Sequence, residues 1–142
     1  MILWREEMSV DNDTIDNDHK YLICMINTFE AAITCNVSTK VLKGHVTELM
    51  TYTEEHFVRE EKIQEQIQFP YLDFHRKKHQ ELIQRLKHVR EGITDDNKHD
   101  VYKKEVPNLI TILRDWLIHH ILNEDMKMKA SMPLPPKINA SK

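Results

Sequence analysis

The chain has 142 residues, only two glycines, and 20 basic against 23 acidic side chains for a formal net charge of −3. That length suits one domain whose core is large enough to fold without disulfides. The charge balance excludes a basic nucleic-acid footprint, and no apolar run reaches the ~18–20 residues of a membrane span.

Abundant Leu, Glu, Lys and Gln, with no β-rich runs between turn residues, predict an all-α protein. The start, MILWREEMSV, lacks a basic stretch followed by an apolar one, so no secretory signal is expected and the expected location is cytoplasmic. Cys24 and Cys35 fall on one expected helix, roughly 16 Å apart, too far to bridge. Both are expected to be reduced and packed, and without CxxC spacing they exclude a cysteine-rich zinc site.

Residues 1–15 lack helical periodicity and read as an N-terminal arm, with Trp4 and Ile15 available to fasten it. A first helix is expected from an N-cap at Asp16 to about Cys35, with Ile15, His19, Leu22, Ile26, Phe29 and Ile33 in one row. Asn36, Ser38 and Thr39 punctuate a turn. The second helix is expected from about Lys40 to Gln68, with Leu42, Leu49, Tyr52, His56, Glu60, Ile63 and Ile67 on one face. Phe69-Pro70 ends it, because a residue before proline avoids the α region.

A third helix is expected from about Tyr71 to Glu91, its row being Leu72, His75, His79, Leu82, Leu86 and Val89, with Gly92 placed to end it in a left-handed conformation. After a polar loop at 92–100, a fourth is expected from about Val101 to Ala130, with Pro107 in its first turns. Leu109, Leu113, Trp116 and His120 form one row of its inner face; Leu113, Leu117, Ile121, Asp125 and Met128 form the neighbouring one. The Pro-rich stretch 131–142 reads as a flexible tail. Residues 16–130 thus predict an up-down-up-down four-helix bundle with short turns.

Seven polar residues interrupt these apolar rows: His19, His56, Glu60, His75, His79, His120 and Asp125. A buried carboxylate is costly unless paired or bound to a metal, and no Lys or Arg shares those rows at a matching level. His56 and Glu60, like His75 and His79, are four apart and stack on one helix face. His120 and Asp125 are five apart, about 140° round a regular helix, in adjacent rows. The positions run start, end, start, end along the four helices, so antiparallel packing brings them to one height. Imidazole with carboxylate suits iron, manganese or zinc rather than calcium, and seven ligands suit a pair of ions. HRKKH lacks the glutamate of the HExxH metalloprotease motif, and no ExxH of the ferritin type occurs.

The segments IDNDHKYLICMIN, HFVREE, YLDFHRKKH and DWLIHHILNED, in this order and spacing, resemble the hemerythrin family in its single-domain bacterial form, over roughly residues 4–129. The resemblance implies two non-haem iron ions joined by an oxo or hydroxo bridge. His75, His79 and His120 would hold one iron, His19 and His56 the other, with Glu60 and Asp125 bridging. The iron with two histidines would keep an open position for dioxygen, in a pocket walled by Leu117 and Ile121 with Trp116 beside them. His119 offers a second imidazole next to His120, but the register of Trp116, Leu117 and Ile121 favours His120. The implied function is reversible dioxygen binding for storage, delivery or scavenging, not catalysis. The alternatives are oxygen or redox sensing through a protein partner, for which nothing in the sequence speaks, and a di-iron enzyme acting on peroxide or nitric oxide. A monomer or weak oligomer is expected. His45, His88 and His99 are assigned to the surface, and Met25, Met50, Met126 and Met128 to packing.

Overall fold

A computed structural model describes residues 1–94 and 97–133. Three long helices, α1 (Asp13–Thr34), α2 (Thr39–Gln66) and α3 (Leu72–Gly92), precede a fourth built of abutting segments. Lys98–Asp100, Val106–His119 and Met126–Lys129 are α-helical, and Val101–Glu105 and His120–Asp125 are π turns between them. The segments run on through right-handed helical dihedrals, and together they are α4. Helix α1 packs on α2 and α2 on α3, while α4 contacts both α1 and α3, which closes a four-helix bundle.

The helix ends follow from local chemistry. Asn12, not Asp16, caps α1, its side chain accepting from the Ile15 amide. Asp16 instead receives the arm: Ser9 Oγ donates to its carboxylate at 2.6 Å and the Val10 amide at 2.9 Å. At its other end the arm is tied by paired hydrogen bonds between the Ile2 backbone and the Asn27 amide. Ile15 is fully buried and Trp4 packs against the core, as fasteners. The arm is thus a fitted strap, with one 3-10 turn at Glu6–Met8.

Ser38 caps α2. Its far end closes with Gln68 in a left-handed conformation (φ 54°) and the Phe69 amide donating back to the Gln64 carbonyl, which satisfies carbonyls the helix leaves open. Gly92 departs from expectation: it is the last residue of α3 and has no positive φ. Its small size matters instead, since a Cβ there would come within 2.8 Å of the Glu105 side chain. Pro107 follows the first π turn of α4, where the wider turn accommodates its missing N–H and bulky ring. Both cysteines are exposed rather than packed, because Cys24 falls between the buried positions Ile23 and Ile26. Most of the expected tail lies outside the described residues; within them, Met132 is buried.

The apolar interior is divided in two. A large cluster includes Leu22, Phe57, Leu82 and Ile121. A small one joins Val10, Ile15, Phe69, Met128 and Met132. On α1, α2 and α4 a polar interruption falls between a residue of the large cluster and one at the small cluster: Ile15, His19, Leu22 on α1; Phe57, Glu60, Ile63 on α2; Met128, Asp125, Ile121 on α4, with His56 and His120 next to Phe57 and Ile121. On α3, His75 and His79 lie between Phe69, just before the helix, and Leu82. A polar layer is therefore sealed between two apolar ones.

Gly44 sits in mid-α2 with nothing within 4 Å of where a Cβ would lie. Gly44→Ala is expected to stabilise the fold by about 0.5–1 kcal/mol, because glycine loses more backbone entropy in a helix than alanine does. Chemical denaturation checks this.

Candidate metal centre

All seven residues lie in the sealed layer, none more than 4% exposed. Their nitrogen and oxygen atoms converge. His19, His56, Glu60 and Asp125 each offer an atom within 4.8 Å of the others, and Glu60, His79 and His120 form a second such group. Glu60 belongs to both. Its Oε2 lies 2.9 Å from His56 Nε2 and 3.9 Å from His19 Nε2. Its Oε1 lies 3.5 Å from His79 Nε2 and 3.7 Å from His120 Nε2. Asp125 divides the same way, with Oδ2 2.8 Å from His19 Nε2 and Oδ1 2.9 Å from His120 Nε2. Each carboxylate thus turns one oxygen to each imidazole group.

His75 stands at the edge of the second group. Its Nδ1 is 3.5 Å from Glu60 Oε1 and 3.9 Å from Asp125 Oδ1, while its Nε2 faces Glu124 at 3.8 Å. The geometry therefore brings six of the seven expected residues into the two converging groups and sets the seventh beside them.

Asp125 reaches the site through the second π turn of α4. On a regular helix His120 and Asp125 would point well apart. The π turn spans His120–Asp125, and its i→i+5 pattern brings residues five apart onto one face.

The residues present fit metal ions better than they fit one another. His19 Nε2, His56 Nε2, Glu60 Oε2 and both Asp125 oxygens have no aligned hydrogen-bond partner, despite contacts as short as 2.8 Å. Unpaired polar atoms at such depth cost about 1–3 kcal/mol each, so lone pairs aimed past each other call for cations between them. The charge pattern agrees. Burial pushes the His56 imidazole down, but Asp18 and Glu60 outweigh it and raise it to about 9. Burial likewise opposes protonation of His120, yet Asp125 and Glu60 raise it to about 10. Glu60 is buried too, which alone would raise its pKa; His120, His56, His75 and His79 hold it well below the usual carboxylate range. A pocket that holds protons this firmly is strongly negative, the field a divalent cation seeks.

Outer partners fix the rings, and the sequence did not name them. Asp18 Oδ2 accepts from His56 Nδ1 at 2.9 Å. Arg59 grips the same carboxylate with Nε and Nη2, and the Tyr52 hydroxyl donates to it at 2.7 Å. Burial raises the Asp18 pKa, but His56, Arg59 and Tyr52 more than offset that and hold it far below the usual range. The Gln64 side chain meets His75 Nδ1 at 2.9 Å, and Glu61 Oε1 lies 3.3 Å from His79 Nδ1. The carboxylate–imidazole pairs Asp18–His56 and Glu61–His79 fix the tautomer that leaves Nε2 free for a metal. Asp18→Ala is expected to weaken metal affinity by about 10–100-fold with the bundle intact; competitive chelation measures it.

Leu117 and Ile121 are buried in the large cluster. Trp116 is half-buried and stacks on the His120 ring, with centroids 5.2 Å apart. Phe57 lies parallel to His79 at 3.7 Å. His119 projects outward, and His88 and His99 are exposed while His45 is half-buried. Met50 and Met128 are buried as packing.

The family description "Hemerythrin HHE cation binding domain" matches residues 10–131. The chain is 27% identical to a bacteriohemerythrin of Stenotrophomonas maltophilia, over 88% of this chain and 77% of that protein. It is 28% identical to one of Campylobacter jejuni, over 85% and 87%. With a myohemerythrin of Theromyzon tessulatum it shares 25% identity over 91% and 92%.

Proposed function

From the premise that this chain belongs to the hemerythrin family, we propose that it binds dioxygen reversibly at a non-haem di-iron centre held by His19, His56, Glu60, His75, His79, His120 and Asp125. The observation that carries the reading is the division of labour in Glu60 and Asp125. Each gives one oxygen to the pair His19 and His56 and the other to the group around His120. Carboxylates so placed bridge two cations, where a single zinc would need only three or four ligands.

When bound, the two irons supply the electrons that dioxygen borrows and returns. The protein's part is to position and to exclude. Asp18 and Glu61 hold the His56 and His79 imidazoles in register from outside, and Gln64 ties His75 to Glu60. His19 and His56 supply fewer nitrogens than His75, His79 and His120, so their side is the one with room for a small ligand. Leu117 and Ile121 wall that pocket with Trp116 beside them. On the opposite flank Val10, Ile15, Phe69 and Met128 close the bundle end. Dry apolar walls keep out water and anions that would displace a neutral diatomic guest.

The chain acts as a carrier, store or scavenger of dioxygen rather than as an enzyme. Its two exposed, unpaired cysteines suit the reducing cytoplasm, and among the described residues no helix is long and apolar enough to cross a membrane.

The test is iron analysis with optical spectroscopy. Two irons per chain are expected, colourless when reduced, with a visible charge-transfer band that grows in air and fades when oxygen is removed. A single zinc, or no metal, overturns the reading. Sustained turnover of peroxide or nitric oxide with a reductant replaces the carrier by an enzyme.

A further inference from the structure

A surface cavity of about 190 Å³ opens between α3 and α4 and reaches the centre from outside; His119, His120, Trp116 and Glu124 line it. Of these, His120 is a residue of the centre and His119 faces solvent. Glu124 stands between. Its Oε1 lies 3.6 Å from His119 Nε2, and its Oε2 lies 3.8 Å from His75 Nε2. That His75 nitrogen is buried and has no hydrogen-bond partner, while Nδ1 of the same ring faces Glu60 and Asp125. The three groups thus stand in a row from solvent to the centre, each a short step from the next.

We propose that His119 and Glu124 form a loading station, through which a divalent metal ion passes from solvent to His75 and His120. The proposal rests on the metal-centre reading above. The sealed layer creates the need for it: with apolar clusters on both sides, a hydrated cation has no path along the bundle axis and must come in from the side. Glu124 offers a half-buried charge at the cavity mouth. His119 adds an imidazole that sheds water from the ion, and His75, turning about its Cβ–Cγ bond, receives it. Lys127 pairs with Glu124 at 3.3 Å, but an exposed pair of this kind is weak and its long side chain swings away at little cost. Lys78 and Arg85 also line the cavity from α3, Lys78 within 3.5 Å of Glu81, and Glu124 is the lining carboxylate that faces the centre. This gives His119, the first histidine of the HisHis pair, a task distinct from that of its neighbour.

The experiment mixes metal-free protein with Co(II) anaerobically and follows d–d absorption and Trp116 fluorescence by stopped flow. His119→Ala and Glu124→Gln are each expected to slow loading by about 10-fold or more, as removal of a focusing charge or first ligand does, while reaching the wild-type cobalt content and final spectrum. Glu124→Asp is expected to recover part of the rate. Wild-type rates in both variants overturn the station. A lowered final cobalt content at an unchanged rate also overturns it, and makes Glu124 a structural support. If the wild-type protein itself takes up no cobalt, the metal-centre reading has failed rather than the route.

Discussion

Glu60→Ala is expected to empty the centre: iron falls from two per chain to well below one, and the visible band on aeration disappears. Glu60 lies against nitrogens of His56, His79 and His120 at 2.9–3.7 Å and is the member common to both ligand groups. Under the proposed assignment its loss would remove one ligand from each ion and one of the two carboxylates shared between them. The metal-free variant suffers as well. His56 and His120 keep their protons partly because of this carboxylate, and removing one partner of a buried ion pair costs about 3–5 kcal/mol. A domain of this size has about 5–15 kcal/mol in hand, so the variant should fold but melt early. Glu60→Gln keeps the volume and separates shape from charge, and Glu55→Ala, on the exposed face, should behave as wild type. Two irons retained in Glu60→Ala would sink the assignment.

Stripping the metal is expected to lower Tm by about 10 °C or more at neutral pH, since ligands bound only by the native state add their binding energy to folding. The pH dependence should change sign of slope as well. In the metal-free protein the raised pKa values of His56 and His120, to about 9 and about 10, contribute stability fully present below the unfolded value near 6.5 and lost as pH rises through 9–10. Glu60 and Asp125 are depressed against the effect of burial. Their contribution is present above about pH 4 and lost as pH falls below it. The metal-free protein should therefore be most stable between about pH 5 and 6.5 and weaken steadily toward pH 10. With metal bound the imidazoles are already deprotonated, so the alkaline decline vanishes. Stability falls instead on the acid side, where protons compete for the ligands. Melting curves across pH with and without chelator test this; parallel profiles would contradict it.

The bundle and the seven polar positions were legible because both are periodic signals. Histidines and acids inside otherwise apolar rows stand out by spacing alone. What lay off those rows was not legible. Asp18 is adjacent to His19 in sequence but serves His56 on the next helix, and its other partners, Tyr52 and Arg59, look like ordinary surface residues. Gln64 sits one turn beyond Glu60 and is wholly buried, a signal that only the fold reveals. Asp16 has the composition of a cap, and the competing use, holding the strap at Ser9 and Val10, depends on where the arm folds back. The regular-helix assumption missed both π turns, because a single widened turn leaves the hydrophobic period almost unchanged over a long window.

That widened turn at His120–Asp125 ties together two parts of the molecule that look independent. Everything downstream of it, including Met128 in the small cluster with Val10, Ile15 and Phe69, takes its rotation from the one surplus residue. Drawn tight into regular α geometry with its residue count kept, the turn would swing Asp125 and Met128 together by about 100° away from their neighbours. The spacing that lets a carboxylate span two ions and the plug that shuts the bundle's end are thus written by the same insertion, and neither can drift in evolution without dragging the other along.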